Sequence, residues 1–374
     1  MKKVFEEAGI DNMLLPNRFV RSATWAGMAT EKGNVTEGLT MLMERLAEGK
    51  VGMIISGHAY VDPKGQAGPW QLGIYDDSQI PGLERMVERM HNHGSRVCCQ
   101  LAHSGVQGHA DVLGHAPKGP SAMENAFGQK AEAMDKSEID EVVSAYARAA
   151  SRAQEAGFDA VQIHAAHGYL ISEFLSPFFN KREDEYGGSL ENRARLLMDV
   201  YRGVRKAVGE RYPVLIKINC RDFTEPEFTP EEMRKVCAML EKEGLDAVEM
   251  SGGNPFAAPE IPVRKGKAGR EKEAWYLEYA RKFNEECGMP LILVGGIRSY
   301  GMAEKLIEKG DCDFIALSRP LIREPHLVKR WKEGNLDDAT CISCNSCFKG
   351  IMAGKGLYCL IDAGEVGREE AMKE

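Results

Sequence analysis

Short apolar runs, each followed by a longer amphipathic stretch, recur along this chain and constrain its fold more than any other feature. They are Arg18–Thr24 (RFVRSAT), Val51–Ser56 (VGMIIS), Arg96–Leu101 (RVCCQL), Phe158–Ile163 (FDAVQI), Pro213–Asn219 (PVLIKIN), Ala247–Met250 (AVEM), Leu291–Val294 (LILV) and Phe314–Leu317 (FIAL). Runs of this kind read as strands buried on both faces of a parallel sheet. Between them the sequence predicts helices over Thr36–Glu48 with Thr36 as N-cap, Pro81–Asn92 stopped by Gly94, and Lys136–Gly157 opening on Ser137 and Asp140. Further helices are predicted over Leu190–Val208, with Ser189 as N-cap, from Thr229-Pro230 to Gly244, and over Tyr276–Cys287. Strands alternating with helices in this way predict an α/β chain closed as a (β/α)8 TIM barrel rather than a doubly wound sheet. No G-x-G-x-x-G follows the first strand, which removes the usual dinucleotide fingerprint. Residues 1–16 predict a short extended segment or a hairpin closing the barrel bottom, and residues 102–136 a long loop bordering the site.

At 374 residues the chain exceeds the ~250 of a bare barrel. The expected division is a barrel over residues 1–335 and a short Cys-rich C-terminal extension over 336–374, packed on the barrel. The net charge of −8 argues against nucleic acid and anionic membrane surfaces as partners. No apolar run approaches the ~18 residues of a membrane span. The opening MKKVFEEAGI is too charged for a signal peptide, so a cytoplasmic protein is expected. Of ten cysteines, Cys98, Cys99, Cys220, Cys237, Cys287 and Cys312 read as small core residues.

In a β/α barrel the C-terminal ends of the strands carry the chemistry. His164, His167 and Tyr169 arrive together after the fourth strand. No Glu or third His follows at ligand spacing, which disfavours zinc there. Gly295-Gly296 after the seventh strand and Ser318-Arg319 after the eighth read as a phosphate site: glycine backbone N–H groups approach an anion closely, and arginine adds a planar fork of donors. His58, His91, His93, His109, His115 and His326 read as surface or capping residues, with His103 lining the pocket.

The stretch from His164 to Arg195 reads H-x-x-H-G-Y-L, F-L-S-P, N-x-R-x-D-x-Y-G-G-S and E-N-R-x-R. It resembles the Old Yellow Enzyme family of flavin-dependent oxidoreductases, and the resemblance runs from Asn17 to Cys359. It implies a bound FMN, with Ser22, Ala23 and Thr24 at the flavin ring, Gly57 after the second strand, and Gln100 reading the pyrimidine edge. Lys217 stands where many relatives carry arginine and would place a cation beside N1 and O2. A second departure is Val106, where relatives often have arginine. The resemblance further implies that His164 and His167 hold a substrate carbonyl oxygen while Tyr169 donates a proton to the α-carbon.

The remaining cysteines, Cys341, Cys344, Cys347 and Cys359, are spaced C-x2-C-x2-C-x11-C. The segment resembles the one that holds a [4Fe–4S] cluster in 2,4-dienoyl-CoA reductase and trimethylamine dehydrogenase. A zinc knuckle, or free thiols left from a cluster-binding ancestor, are the other readings of the same cysteines. Both of those relatives continue into further nucleotide-binding domains, so an equivalent redox partner is expected as a separate protein. The resemblance implies an ene-reductase acting on a small carbonyl compound. Electrons would come from NAD(P)H as co-substrate or from a redox partner through the cluster. An amine-type oxidative dehydrogenase and an electron-transfer or redox-sensing flavoprotein are the alternatives, and a homo-oligomer stays open.

Overall fold

The computed structural model describes residues 3–266 and 273–367; the extreme ends of the N-terminal segment and of the C-terminal extension lie outside them. The eight apolar runs become β1 (Phe19–Arg21), β2 (Met53–Ile55), β3 (Arg96–Ala102), β4 (Ala160–Ala165), β5 (Val214–Asn219), β6 (Ala247–Ser251), β7 (Leu291–Leu293) and β8 (Phe314–Leu317). Each pairs in parallel with the next, β8 returns to β1 through Ala316↔Val20, and the ring is a closed (β/α)8 barrel. Helices α1 (Glu37–Glu48), α2 (Ile80–His91), α3 (Lys136–Glu155), α4 (Leu190–Val208), α5 (Pro230–Lys242), α6 (Leu277–Glu286), α7 (Tyr300–Glu308) and α8 (Leu327–Lys332) follow the strands in turn.

Their starts follow from side chains that satisfy the orphan N–H groups of the first turn. Thr36 Oγ1 accepts from Leu39 N at 3.2 Å and Ser189 Oγ from Asn192 N at 3.3 Å. The α3 cap lies earlier than expected, at Asp135, which forms a reciprocal capping box with Glu138. Helix α7 escaped the sequence reading although Ser299 caps it by accepting from Met302 N.

Side-chain alternation along the strands sorts the barrel interior into layers. The lowest is apolar: Val20, Met53, Cys98, Ala160, Leu215, Ala247, Ile292 and Phe314 form one buried cluster with Ala8, Ile10, Met13 and Leu15. The last four belong to an antiparallel hairpin, Ala8–Ile10 with Met13–Leu15, so the predicted bottom plug is present. Two residues further along the strands the interior turns polar, with Gln100, Gln162, Lys217 and Glu249 all buried. Two residues beyond those come His164, Asn219 and Ser251.

Residues 102–136 are not a structureless loop. Lys130–Ala133 pairs with Lys118–Gly119 and with Met123–Glu124 in a small three-stranded sheet. Two of its strands are two residues long, too short for any periodicity to register. Beyond α8 the chain returns over the rim and forms the short helix α9 (Cys347–Met352). It sits so close that a Cβ on Gly27 would stand 2.3 Å from Ile351 Cγ2.

Candidate functional site

A cavity of about 630 Å³ opens at the C-terminal ends of the strands. Its wall includes Ser22, Ala23, Thr24, Gln100, Lys217, Gly295, Gly296, Ser318 and Arg319, together with His164, His167 and Tyr169. The barrel thus brings together residues that are up to about three hundred positions apart in the chain.

At the base, Lys217 Nζ donates to Glu249 Oε1 at 2.9 Å and to Ser22 Oγ at 2.7 Å. Ser22 Oγ donates in turn to the same Glu249 oxygen at 2.6 Å. Glu249 Oε2 accepts from Gln162 Nε2 at 2.9 Å, and Gln162 Oε1 accepts from Gln100 Nε2 at 2.7 Å. Lys217 and Glu249 are almost wholly buried, so each charge depends on the other and on these amides. The expected cation at Lys217 is therefore half of an ion pair, and it also donates to Ser22. Sequence reading missed Glu249 and Gln162. The signal was present: a polar residue inside an apolar strand, at the parity of another inward polar residue.

Gly57 is not on the wall. A Cβ there would stand 2.9 Å from the Thr24 carbonyl oxygen, so this glycine lets the chain after β2 pass behind Thr24. Its neighbour His58 lines the cavity, against the expectation of a surface residue. Burial, reinforced by the Lys217 ammonium, pulls the His58 imidazole down to about 4. His109 also lines the cavity, its ring 4.0 Å from Phe127. His103, expected in the pocket, is instead buried in its own loop, where Nδ1 accepts from Gly105 N.

At the end of the cavity where the sequence predicts a phosphate site, Gly295 and Gly296 have φ of 127° and 73°, a region that favours glycine. A Cβ on Gly296 would meet Trp275 Nε1 at 2.5 Å, so the indole packs directly on the bare backbone. Thr24 Oγ1 and Ser318 Oγ lie 2.9 Å apart. Arg319 Nη1 donates to the Arg264 carbonyl at 2.8 Å and to Asn345 Oδ1 at 2.7 Å, which ties this end to the C-terminal extension. Arg298, not foreseen, lines the same end and donates to Cys341 O at 3.0 Å and to Ser343 Oγ at 2.7 Å.

The histidine pair lines the same cavity. The His164 ring is 5.3 Å from that of His167 and 5.0 Å from that of Tyr169, edge-on in both cases. His167 Nε2 lies 2.7 Å from Ser251 Oγ. His167 and Gly168 both adopt left-handed backbone conformations, with φ of 67° and 74°. Asn219 holds this turn by accepting from His167 N at 3.1 Å. Burial drives both imidazoles well below their ordinary pKa, so they are neutral in the physiological range. Burial also pushes the Tyr169 phenol up to about 12, which keeps it protonated. The group can hydrogen-bond an oxygen that gains negative charge and supply a proton beside it.

All four clustered cysteines line one small recess with Arg319 and Arg323, and Arg323 Nη1 points at Cys359 Sγ from 3.6 Å. Burial raises the Cys341 thiol and lifts Cys347 to about 11, while Arg319 opposes both shifts. Among the described residues, no three His, Cys, Asp or Glu side chains are grouped to hold a single metal ion. The other six cysteines are buried, as expected.

Compared with known families, residues 3–338 match the family described as NADH:flavin oxidoreductase / NADH oxidase. The chain belongs to that family. It is 34% identical to an NADH oxidase from Thermoanaerobacter brockii, over 99% of this chain and 57% of that protein. It is 34% identical to an NADPH dehydrogenase from Clostridium acetobutylicum, over 90% of this chain and 97% of the relative. The first of these relatives is thus matched over little more than half its length. In structure the chain superposes on a 2-naphthoyl-CoA reductase complex with a TM-score of 0.90 and 28% identity, covering 97% of this chain and 58% of that one.

Proposed function

We propose that this chain is an FMN-dependent oxidoreductase that takes reducing equivalents from NAD(P)H and reduces the activated C=C of a small carbonyl compound. The observation that carries the reading is the pairing, in one cavity, of a polar base at Gln100 and Lys217 with neutral imidazoles and a protonated phenol at His164, His167 and Tyr169. FMN fits the residues present. Gly295 and Gly296 bring main chain to the cavity wall, and Arg319 adds a cation there. The base offers the Gln100 amide, with one N–H already given to Gln162, and the Lys217 ammonium. FMN, once bound, would supply the hydride. The chain's own task is to hold the substrate carbonyl between His164 and His167, where charge develops, and to deliver the Tyr169 proton to the adjacent carbon.

The four cysteines support a [4Fe–4S] cluster as a second electron carrier, by their spacing and by the one recess they share with Arg319 and Arg323. With such a cluster, a separate redox protein can replace NAD(P)H as the electron source. Steady-state turnover separates these readings. Oxidation of NADH or NADPH coupled to loss of 2-cyclohexenone is the expected result. Oxidation of methylated amines without enone reduction would instead make the chain an oxidative dehydrogenase.

A further inference from the structure

His58 is unassigned by the proposed function, yet its side chain is among the most tightly specified in the cavity. The specification comes from Gln71, which is 1% exposed. Gln71 Oε1 accepts from Ala67 N at 2.6 Å, and this identifies the oxygen end of the amide. The nitrogen end therefore faces His58, where it donates to the His58 carbonyl at 3.0 Å and meets Nδ1 at 2.5 Å. An amide nitrogen has no lone pair to offer, so Nδ1 must be the acceptor. Held neutral by burial, the ring has one proton to place, and it lies on Nε2.

That N–H belongs to a ring that lines the cavity. The ring lies 5.4 Å from Tyr169 and 6.5 Å from both His164 and Trp25. Among the described residues, Nε2 has no hydrogen-bond partner. An oxygen between His164 and His167 already has two imidazole neighbours, whose rings are 5.3 Å apart. His58 enters from the chain after β2, its ring closer to that of Tyr169 than to that of His164. A donor presented in one fixed tautomer discriminates strongly, because a ligand without the matching acceptor leaves it unpaired.

We infer that His58 is a substrate-reading residue whose Nε2–H binds a second acceptor oxygen. The preferred substrates are then activated alkenes with two separated acceptors, such as enediones or unsaturated keto acids, rather than simple enones. The inference rests on the reading that the His164–Tyr169 side receives the substrate, and the test separates the two.

The test is calorimetric titration of the purified holoenzyme with phenol, which offers one acceptor oxygen, and with 3- and 4-hydroxybenzaldehyde, which offer two. His58→Ala should leave phenol affinity within about twofold and weaken at least one hydroxybenzaldehyde about tenfold. His58→Gln, which restores an N–H donor, should recover most of that loss. His164→Ala should weaken all three ligands. Equal losses for all three ligands in His58→Ala, or no loss for any, would overturn the inference while His164→Ala still reports a working substrate end. Phenol binding unaffected by His164→Ala would remove the underlying reading, and the inference with it.

Discussion

Glu173 is fully buried, and its carboxyl accepts from Val106 N at 2.8 and 3.1 Å. Burial raises its pKa well above the usual carboxylate value, with the Val106 and Gln107 N–H groups opposing. Val106 meets this carboxyl through its backbone N–H, and among the described residues no cation is paired with it. A raised pKa means that the folded state binds the proton more tightly than the unfolded chain. The stabilising contribution is complete below the unfolded value of ~4.3 and is lost as pH rises through the folded value. Urea denaturation at pH 5 and pH 8 should show Glu173→Gln gaining stability relative to the wild type at the higher pH; equal differences at both would contradict the assignment. Tyr169→Phe should slow enone reduction by ~10²–10⁴-fold while the NAD(P)H half-reaction keeps its rate in stopped-flow traces. His164, His167 and Tyr169 were legible because they lie within one short stretch. His58 was not, since what makes it a cavity residue is Gln71, whose approach depends on tertiary packing.

Among the elements, strands and long helices were readable because burial imposes its period on them. Leu190–Val208 was placed to the residue, and the eight strands shifted only at their ends. The small sheet between β3 and α3 was not readable, because its strands are held by one another rather than by an apolar repeat. Likewise, α7 is short and lies between two strands whose own signals dominated. Two substitutions probe elements that the sequence announced. Leu15→Ala in the bottom hairpin opens a hole in a fully buried cluster and should cost ~2–5 kcal/mol of unfolding free energy. Asp135→Ala removes one arm of the α3 capping box and should cost ~1 kcal/mol. A loss at Asp135 as large as that at Leu15 would indicate a role for the cap beyond its helix.

For the molecule as a whole, the cofactor content is the direct test. Heat-released flavin should chromatograph as FMN, since the phosphate end pairs Gly296 with a nearby arginine and no dinucleotide fingerprint precedes it. Anaerobically purified protein should contain about four iron and four sulfide per chain. Cys344→Ser should lose the iron and retain FMN; stoichiometric zinc in the wild type would instead favour a structural knuckle.

The hairpin that fills the barrel floor with Ile10, Met13 and Leu15 has a kinetic consequence. With the floor stoppered, NAD(P)H and a substrate sharing the proposed site would both use the rim, and one would have to depart before the other arrives. Such turn-taking gives parallel lines in double-reciprocal plots when both concentrations are varied, and each reactant in excess competes with the other for its turn.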